Sequence, residues 1–313
     1  MENGTSIMTD QSKSQDVDLP FGLEQAGAVA EHLLKFDTPQ SLFLSYVAHN
    51  PGVRIKEGKS LFKIMSAVSE VGHYILPQKV IGLIQGRDVL DFGCGTTLYG
   101  AAFRALGARS YVGIDPVIDI SRRKFRSRKQ KSTINVGISI ENILSRIPNV
   151  EYYNNADILD SRKFDTIILH TVTEYLQDID ALFAIFENAL RPGGSIWFLH
   201  SNFYSWSGHH QNPRNIKEFD PQNEEHVRYV DWSHVTFDAP DDHVFKTQLN
   251  RIRLDDLRNL TQRHFSIVEW TPIEEPRVIQ IRLTPEIEQR HSDFSRLDLL
   301  TKQVVCLAQK PTL

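Results

Sequence analysis

The sequence predicts an α/β fold, a doubly wound and mostly parallel open sheet with helices on both faces. Three observations carry it. From Gly86 onward, short apolar runs alternate with helical stretches, the pattern that right-handed crossovers between parallel strands produce. One run, "FDTIILH" at 164–170, is apolar almost without interruption, as a strand covered on both faces must be. Four of the runs end on or beside a polar residue, Asp91, Asp115, Asp157 and His170. These are the strand ends at which open α/β sheets bind ligands.

Along the chain, residues 1–19 are polar and read as a disordered tail, without the basic start and apolar core of a secretory signal. Residues 20–85 read as an N-terminal helical cap. Ala26, Val29, Ala30, Leu33 and Leu34, and then Leu61, Ile64, Met65, Val68 and Ile75, recur there at helical spacing. Residues 86–313 read as one domain. "RDVLDFGCG" (87–95) is a strand running into a glycine turn, and "LYGAAFRALGA" (98–108) is a helix stopping near Gly107. "SYVGID" (110–115) and "VEYYNNAD" (150–157) are strands two and three, and 164–170 is strand four. Tyr175, Leu176, Ile179, Leu182, Phe183, Phe186 and Leu190 form a helical stripe closed by "RPGG" (191–194), ahead of strand five, "SIWFLH" (195–200). Residues 201–250 keep no period, carry many aromatics and histidines, and read as a long functional insertion. "RLDDLRNLTQRH" (253–264) is a helix, and "FSIVEW" (265–270) and "QVVCLA" (303–308) are closing strands.

Composition bounds the function. The chain has 313 residues, 41% hydrophobic and 24% charged, with a net charge of −4. That is ordinary soluble composition, and its acidic balance argues against a nucleic-acid partner. Two distant cysteines, Cys94 and Cys306, make neither a disulfide framework nor a zinc ribbon, so a cytoplasmic location is expected. No window approaches the roughly 18 apolar residues of a membrane span. "SRRKFRSRKQK" (121–131) holds seven cationic residues in eleven. It reads as a solvated helix face or loop, or as a patch for phosphate groups on an acceptor.

The turn "DFGCG" (91–95) lets backbone N–H groups approach a ligand. Asp115, twenty residues past Gly95, can take two ribose hydroxyls, and Asp157 can accept from an adenine amino group. A dinucleotide fingerprint wants a third glycine where Leu98 stands. The alternative of a bare strand–helix turn requires no acid at the next two strand ends.

"DVLDFGCGTTLYG", "YVGID", "ADILD", "FDTIILHTVTEYL" and "LRPGGSIWFLH" together resemble class I S-adenosylmethionine-dependent methyltransferases. The resemblance covers roughly 86–200 and the final strand pair. It implies a Rossmann-like sheet of seven strands, the last antiparallel, with S-adenosylmethionine as cofactor. It also implies that Asp91 with the Gly93–Gly95 turn holds the methionine end, that Asp115 holds the ribose, and that Asp157 and the Ile158 N–H face the adenine. His170 would begin the segment lining the methyl-transfer site. Thr97 departs from the family's third glycine. Relatives that methylate base amino groups carry an Asn- or Asp-Pro-Pro-aromatic motif after strand four, where this chain has "HTVTEYL".

The acceptor is expected beyond strand five, at "HSNFYSWSGHHQNP" (200–213). Six of the twelve histidines fall between 200 and 243. His200, His209 and His210 are candidate bases for a hydroxyl acceptor, and Asn202, Tyr204 and Trp206 are candidate acceptor contacts, His200, Asn202 and Tyr204 sharing one face if the segment is extended. Two other readings of this segment stay open: a metal site using His209, His210, Asp231 and His234, and a loop pinned to the sheet by its own side chains. "NFYSWSGHH", "YVDWSH" and "LNRIRLDDL" are similar to segments of bacterial methyltransferases, some associated with surface-glycan synthesis. The expectation is O-methylation of a sugar, glycan or other small polar acceptor with a histidine base. The competing functions are a nicotinamide-dependent oxidoreductase and a non-catalytic cofactor-binding regulatory protein.

Overall fold

The computed structural model describes residues 39–50, 52, 61–62, 65, 78–95, 99–121, 124–126, 133–135, 141–142 and 145–312. Its centre is a seven-stranded sheet. We number the strands β1 (Asp88–Phe92), β2 (Ser110–Ile114), β3 (Val150–Tyr153), β4 (Phe164–His170), β5 (Leu190–Ser201), β6 (Ser266–Glu274) and β7 (Thr301–Gln309). They lie in the order β3-β2-β1-β4-β5-β7-β6. Pairing from β3 through β5 is parallel throughout, and β7 runs antiparallel to both β5 and β6. The order reverses beside β1, so a crevice opens there at the carboxyl ends of the strands.

Strand alternation divides the core into two layers. Val89, Tyr111, Ile168 and Trp197 point to one face, against α1 (Pro39–His49) and α2 (Tyr99–Ala105). Leu90, Val112, Ile167, Leu169, Ile196 and Phe198 point to the other, against α3 (Ile179–Ala189) and α4 (Leu254–His264). α1 buries Leu42, Phe43 and Tyr46 on α2, and Ser45 Oγ donates to Ala105 O at 2.6 Å. The described part of the N-terminal region is therefore built into one face of the sheet. The stripe at 26–34 and residues Ile64, Val68 and Ile75 lie outside the described residues.

Two local expectations are corrected, and the 201–250 insertion shows a core of its own. α3 starts at Ile179 rather than Tyr175, because Asp178 caps it by accepting from Ala181 N at 3.0 Å. Tyr175 instead ends a 3-10 turn, Thr173–Tyr175. Part of the basic run is extended: Lys124–Arg126 pairs antiparallel with Thr133–Asn135, in neither a helix nor a plain loop. Residues 201–250 are ordered by their own core. Phe203, Tyr229, Ala239, Phe245 and Leu249 form one cluster, while Trp206, Val230 and Trp232 join Ile279, Leu283, Leu299 and Leu300 in another. Between the last two strands the chain forms the helices Arg277–Gln280, Pro285–Arg290 and Arg296–Leu300, which floor that second cluster.

Candidate active site

The glycine turn follows β1 directly. Gly93 and Gly95 take φ of 77° and 69°, which L side chains rarely adopt. Gly93 N and Cys94 N both donate to Ile114 O, at 2.7 and 3.2 Å, so the turn is laced to β2. Asp115 leans onto it, with Oδ2 accepting from Gly95 N at 2.7 Å and Oδ1 from Val117 N at 3.0 Å. Each oxygen keeps a lone pair for a ligand hydroxyl. A Cβ at Gly95 would meet nothing within 4 Å, so there is room beside the turn. At Gly93 it would come within 2.4 Å of Val172 Cγ2, because the segment after β4 closes against the turn there. Asp157 is exposed and opens the 3-10 turn Asp157–Asp160, with Ile158 beside it. First-turn N–H groups lack partners within a turn of this kind. These features fit a nucleoside with a charged tail.

Asp91 lies beneath this turn rather than on its open side. It is 1% exposed, and Tyr111 Oη donates to its Oδ2 at 2.8 Å. Burial pushes its carboxyl up to about 7. His170 ends β4, half-buried, its ring stacked on Trp197 with centroids 6.0 Å apart. Cys94 is buried and its thiol is pushed up by burial, so it is no nucleophile. Thr97 and Leu98 lie outside the described residues.

On the acceptor side the structure separates the six predicted residues. β5 ends at Ser201 and the chain turns at once, so His200, Asn202 and Tyr204 do not share an extended face. Asn202 is wholly buried and its amide is used up. Nδ2 donates to Asp298 O and Thr301 O, both at 2.7 Å, and Oδ1 accepts from Tyr204 N at 3.1 Å. Trp206 is buried, with Nε1 donating to Asp231 at 3.2 Å. His209 is buried and stacks on Tyr229 with centroids 5.7 Å apart. Burial lowers its pKa to about 3. These three hold the insertion together, and the pinning reading describes them. Tyr204 is half-buried, its hydroxyl donating to Arg251 O at 2.8 Å.

His210 differs. It is half-buried, at φ 55°, and its Nδ1 lies 2.8 Å from Tyr175 Oη. That contact joins the insertion to the segment after β4, beside Val172 and the glycine turn. Burial first, then Arg214, holds the His210 pKa below its ordinary value. His200 is buried at the end of β5, with Nδ1 on Thr173 Oγ1 at 2.9 Å, and burial lowers it to about 3.

The metal reading finds no support. Among the described residues no three His, Cys, Asp or Glu side chains come together as a metal set. Asp231 is instead gripped by Arg282 at 2.6 and 2.5 Å. Both His234 nitrogens face carbonyl oxygens, of Tyr229 at 3.0 Å and Phe203 at 2.8 Å.

The sequence reading missed Glu174, Tyr175 and Asn250 as site residues. Asn250 N donates to Glu174 O at 3.0 Å, and its Nδ2 to Thr173 O and Leu176 O at 2.6 and 2.8 Å. It clamps the turn that carries Tyr175. A depression of about 510 Å³ lies elsewhere, at the amino ends of the strands, lined by Asp88, Arg109, Ser110, Arg162, Lys163 and Arg191. Its charges are already engaged: Arg109 and Arg191 are both paired to Asp88 and Asp165, Arg162 to Glu151, and Lys163 donates to Asn188 O.

The family model described as a methyltransferase domain matches residues 65–264. The chain therefore belongs to the methyltransferase-domain family. Among solved structures it is similar to an S-adenosylmethionine-dependent methyltransferase from Mesorhizobium loti. The identity is 17% and the TM-score 0.41, over 75% of this chain and 94% of that one. It is also similar to the N-methyltransferase NodS from Bradyrhizobium japonicum, at 13% identity and TM-score 0.38, over 74% and 93%. The chain matches no curated protein sequence. Strand order, glycine turn and family together define a class I methyltransferase, an enzyme whose cofactor is S-adenosylmethionine. No helix among the described residues is long and apolar enough to cross a membrane.

Proposed function

We propose that the protein O-methylates a sugar or another small polar acceptor, bound between the carboxyl edge of the sheet and the 201–250 insertion, with His210 as general base. The cofactor supplies an electrophilic methyl group on a sulfonium. The Gly93–Gly95 turn, supported from below by Asp91, is the seat for its amino-acid end. Asp115 offers two carboxylate oxygens to the ribose, and Asp157 and the Ile158 N–H flank the base. The two free cysteines accord with a cytoplasmic location.

The observation carrying the acceptor reading is the His210–Tyr175 contact at 2.8 Å. Burial raises the Tyr175 pKa, so its phenol stays neutral and can accept from His210 Nδ1–H. That tautomer leaves the Nε2 lone pair for the acceptor's proton. The lowered pKa of His210 keeps the ring neutral at neutral pH, as a base must be. Left-handed backbone at Thr171 (φ 57°) and His210 (φ 55°) brackets the contact. Such conformations cost about 1–3 kcal/mol and collect at functional sites.

Two measurements test this. His210→Asn should bind S-adenosylhomocysteine like the wild type, by calorimetry, but transfer at least tenfold less labelled methyl from S-adenosylmethionine into an extract of the source cells. Equal transfer by the variant would discard the base. Absence of S-adenosylhomocysteine binding by the wild type, or undiminished binding by Asp115→Ala, would overturn the arrangement of the cofactor site.

A further inference from the structure

Glu174 has no part in the chemistry described so far. Its side chain is 3% exposed and sits between the carboxyl ends of β4 and β5. Oε2 accepts only a long bond from Ser201 N, at 3.5 Å, and Oε1 has no partner. A carboxyl so placed is costly to bury unless another charge or a proton compensates it. Beside it is a second orphan, the buried His200, whose Nε2 also has no partner. The hydroxyl of Thr173, the residue between them along the edge, lies 2.9 Å from His200 Nδ1. The backbone under it is braced by Asn250. Two residues earlier, Val172 lies against Gly93, which brings this turn beside the cofactor seat.

We propose that Glu174 changes protonation with the charge on the cofactor, ionised opposite the methyl sulfonium and protonated opposite the neutral thioether. This rests on the methyl-transfer reading of the site. In the transfer the methyl carbon–sulfur bond breaks, its electron pair stays on sulfur, and a bond forms from the acceptor oxygen to the methyl carbon. The acceptor's proton goes first to the His210 imidazole and ends on the Glu174 carboxylate. Sulfonium and carboxylate start as a pair of opposite charges and both end neutral, so no lone charge is left in the interior. The titratable and charged groups around Glu174 are Tyr175, which feels its charge, and His200 across Thr173, with His210 and Arg214 beyond them and His170 on the same edge. Burial holds His200 down at about 3 and Glu174 up at about 7, so the carboxyl is the one that can switch near neutrality.

The test needs no acceptor. The full chain is titrated calorimetrically with S-adenosylmethionine and S-adenosylhomocysteine from pH 6 to about pH 8. In the wild type the ratio of the two affinities should shift towards S-adenosylmethionine as pH rises through about 7, by up to tenfold per pH unit, the limit for one proton. In Glu174→Gln, with its S-adenosylhomocysteine affinity retained, that slope should vanish. A wild-type ratio independent of pH, or a slope that survives in Glu174→Gln, overturns the proposal. Infrared difference spectra of the wild type, compared with those of Glu174→Gln to separate the buried Asp91, read the carboxyl directly. A protonated-carboxyl band present with S-adenosylhomocysteine and lost with S-adenosylmethionine supports the proposal, and its absence from both overturns it. No binding of either ligand would instead remove the methyl-transfer reading itself.

Discussion

Replacing Asn202 with alanine removes three hydrogen bonds from a place with no access to bulk water. The side chain is 0% exposed and meets Asp298 O, Thr301 O and Tyr204 N at 2.7, 2.7 and 3.1 Å. At about 1 kcal/mol net per bond, the loss is about 3 kcal/mol, and more if the stranded carbonyls stay dry. For a chain of this size that lowers Tm by about 6 °C, taking about 2 °C per kcal/mol. Differential scanning calorimetry of wild type and Asn202→Ala measures the shift. Asn202→Asp makes a sharper control, since a carboxylate offers lone pairs to two carbonyls that need donors and should cost more than alanine. S-adenosylhomocysteine affinity should change less than twofold in any folded variant, because Asn202 touches no part of the cofactor seat. A Tm within 1 °C of the wild type for Asn202→Ala would refute the claim that this amide anchors the insertion, and would return Asn202 to the acceptor contacts.

Gly93→Ala should reduce S-adenosylhomocysteine affinity at least tenfold by calorimetry, since its φ of 77° and a Cβ 2.4 Å from Val172 force the turn to move. Unchanged affinity would mean that the turn is not the seat. Tyr175→Phe should keep Tm within about 1 °C and cofactor affinity intact while lowering labelled methyl transfer about tenfold, because only the hold on His210 is lost; full transfer would make the contact incidental. The folded pKa of Asp91, about 7, lies above the ordinary carboxylate value, so the folded state binds its proton more tightly. That stability is present at low pH and lost as pH rises through about 7. Denaturant titrations at pH 5 and pH 6.5 should therefore show unfolding free energy rising more steeply with pH in Asp91→Asn than in the wild type, by up to about 1.4 kcal/mol per pH unit. A shallower slope would contradict a buried neutral carboxyl.

The parts of the fold that could be read from the sequence were those governed by local periodicity. β4 is legible to the residue, because 166–169 are buried and Asp165 is the one charged position in "FDTIILH". The acids at 91, 115 and 157 marked the carboxyl edge, because strand ends are where a chain can afford them. What stayed hidden depends on distant partners. Asn202 meets Thr301, Asp231 meets Arg282, and Asn250 meets Thr173, contacts 99, 51 and 77 positions apart in sequence. No local pattern distinguishes an asparagine that binds a ligand from one that spends its amide on remote carbonyls. Glu174 did carry a signal, an acid in the otherwise uncharged stretch just past a buried strand. It went unused because the apolar residues beyond it extend a helical stripe back to Tyr175, whereas the Asp178 cap starts the helix later. The basic run misled for a related reason, since composition reports charge and not the pairing that makes 124–126 a strand.

Asn202 and Asn250 stand at the two feet of the insertion, one fastened to the chain entering β7 and the other to the turn after β4. An arch with both footings set in the catalytic edge can be rebuilt along its span without moving its supports. Apart from His210, the span 203–249 can thus diverge in sequence and length, changing which molecule the proposed site admits, while the cofactor seat stays the same. On the proposed reading, acceptor fit and the hold on the cofactor are in this way carried on separate pieces of the chain, and selection on one need not disturb the other.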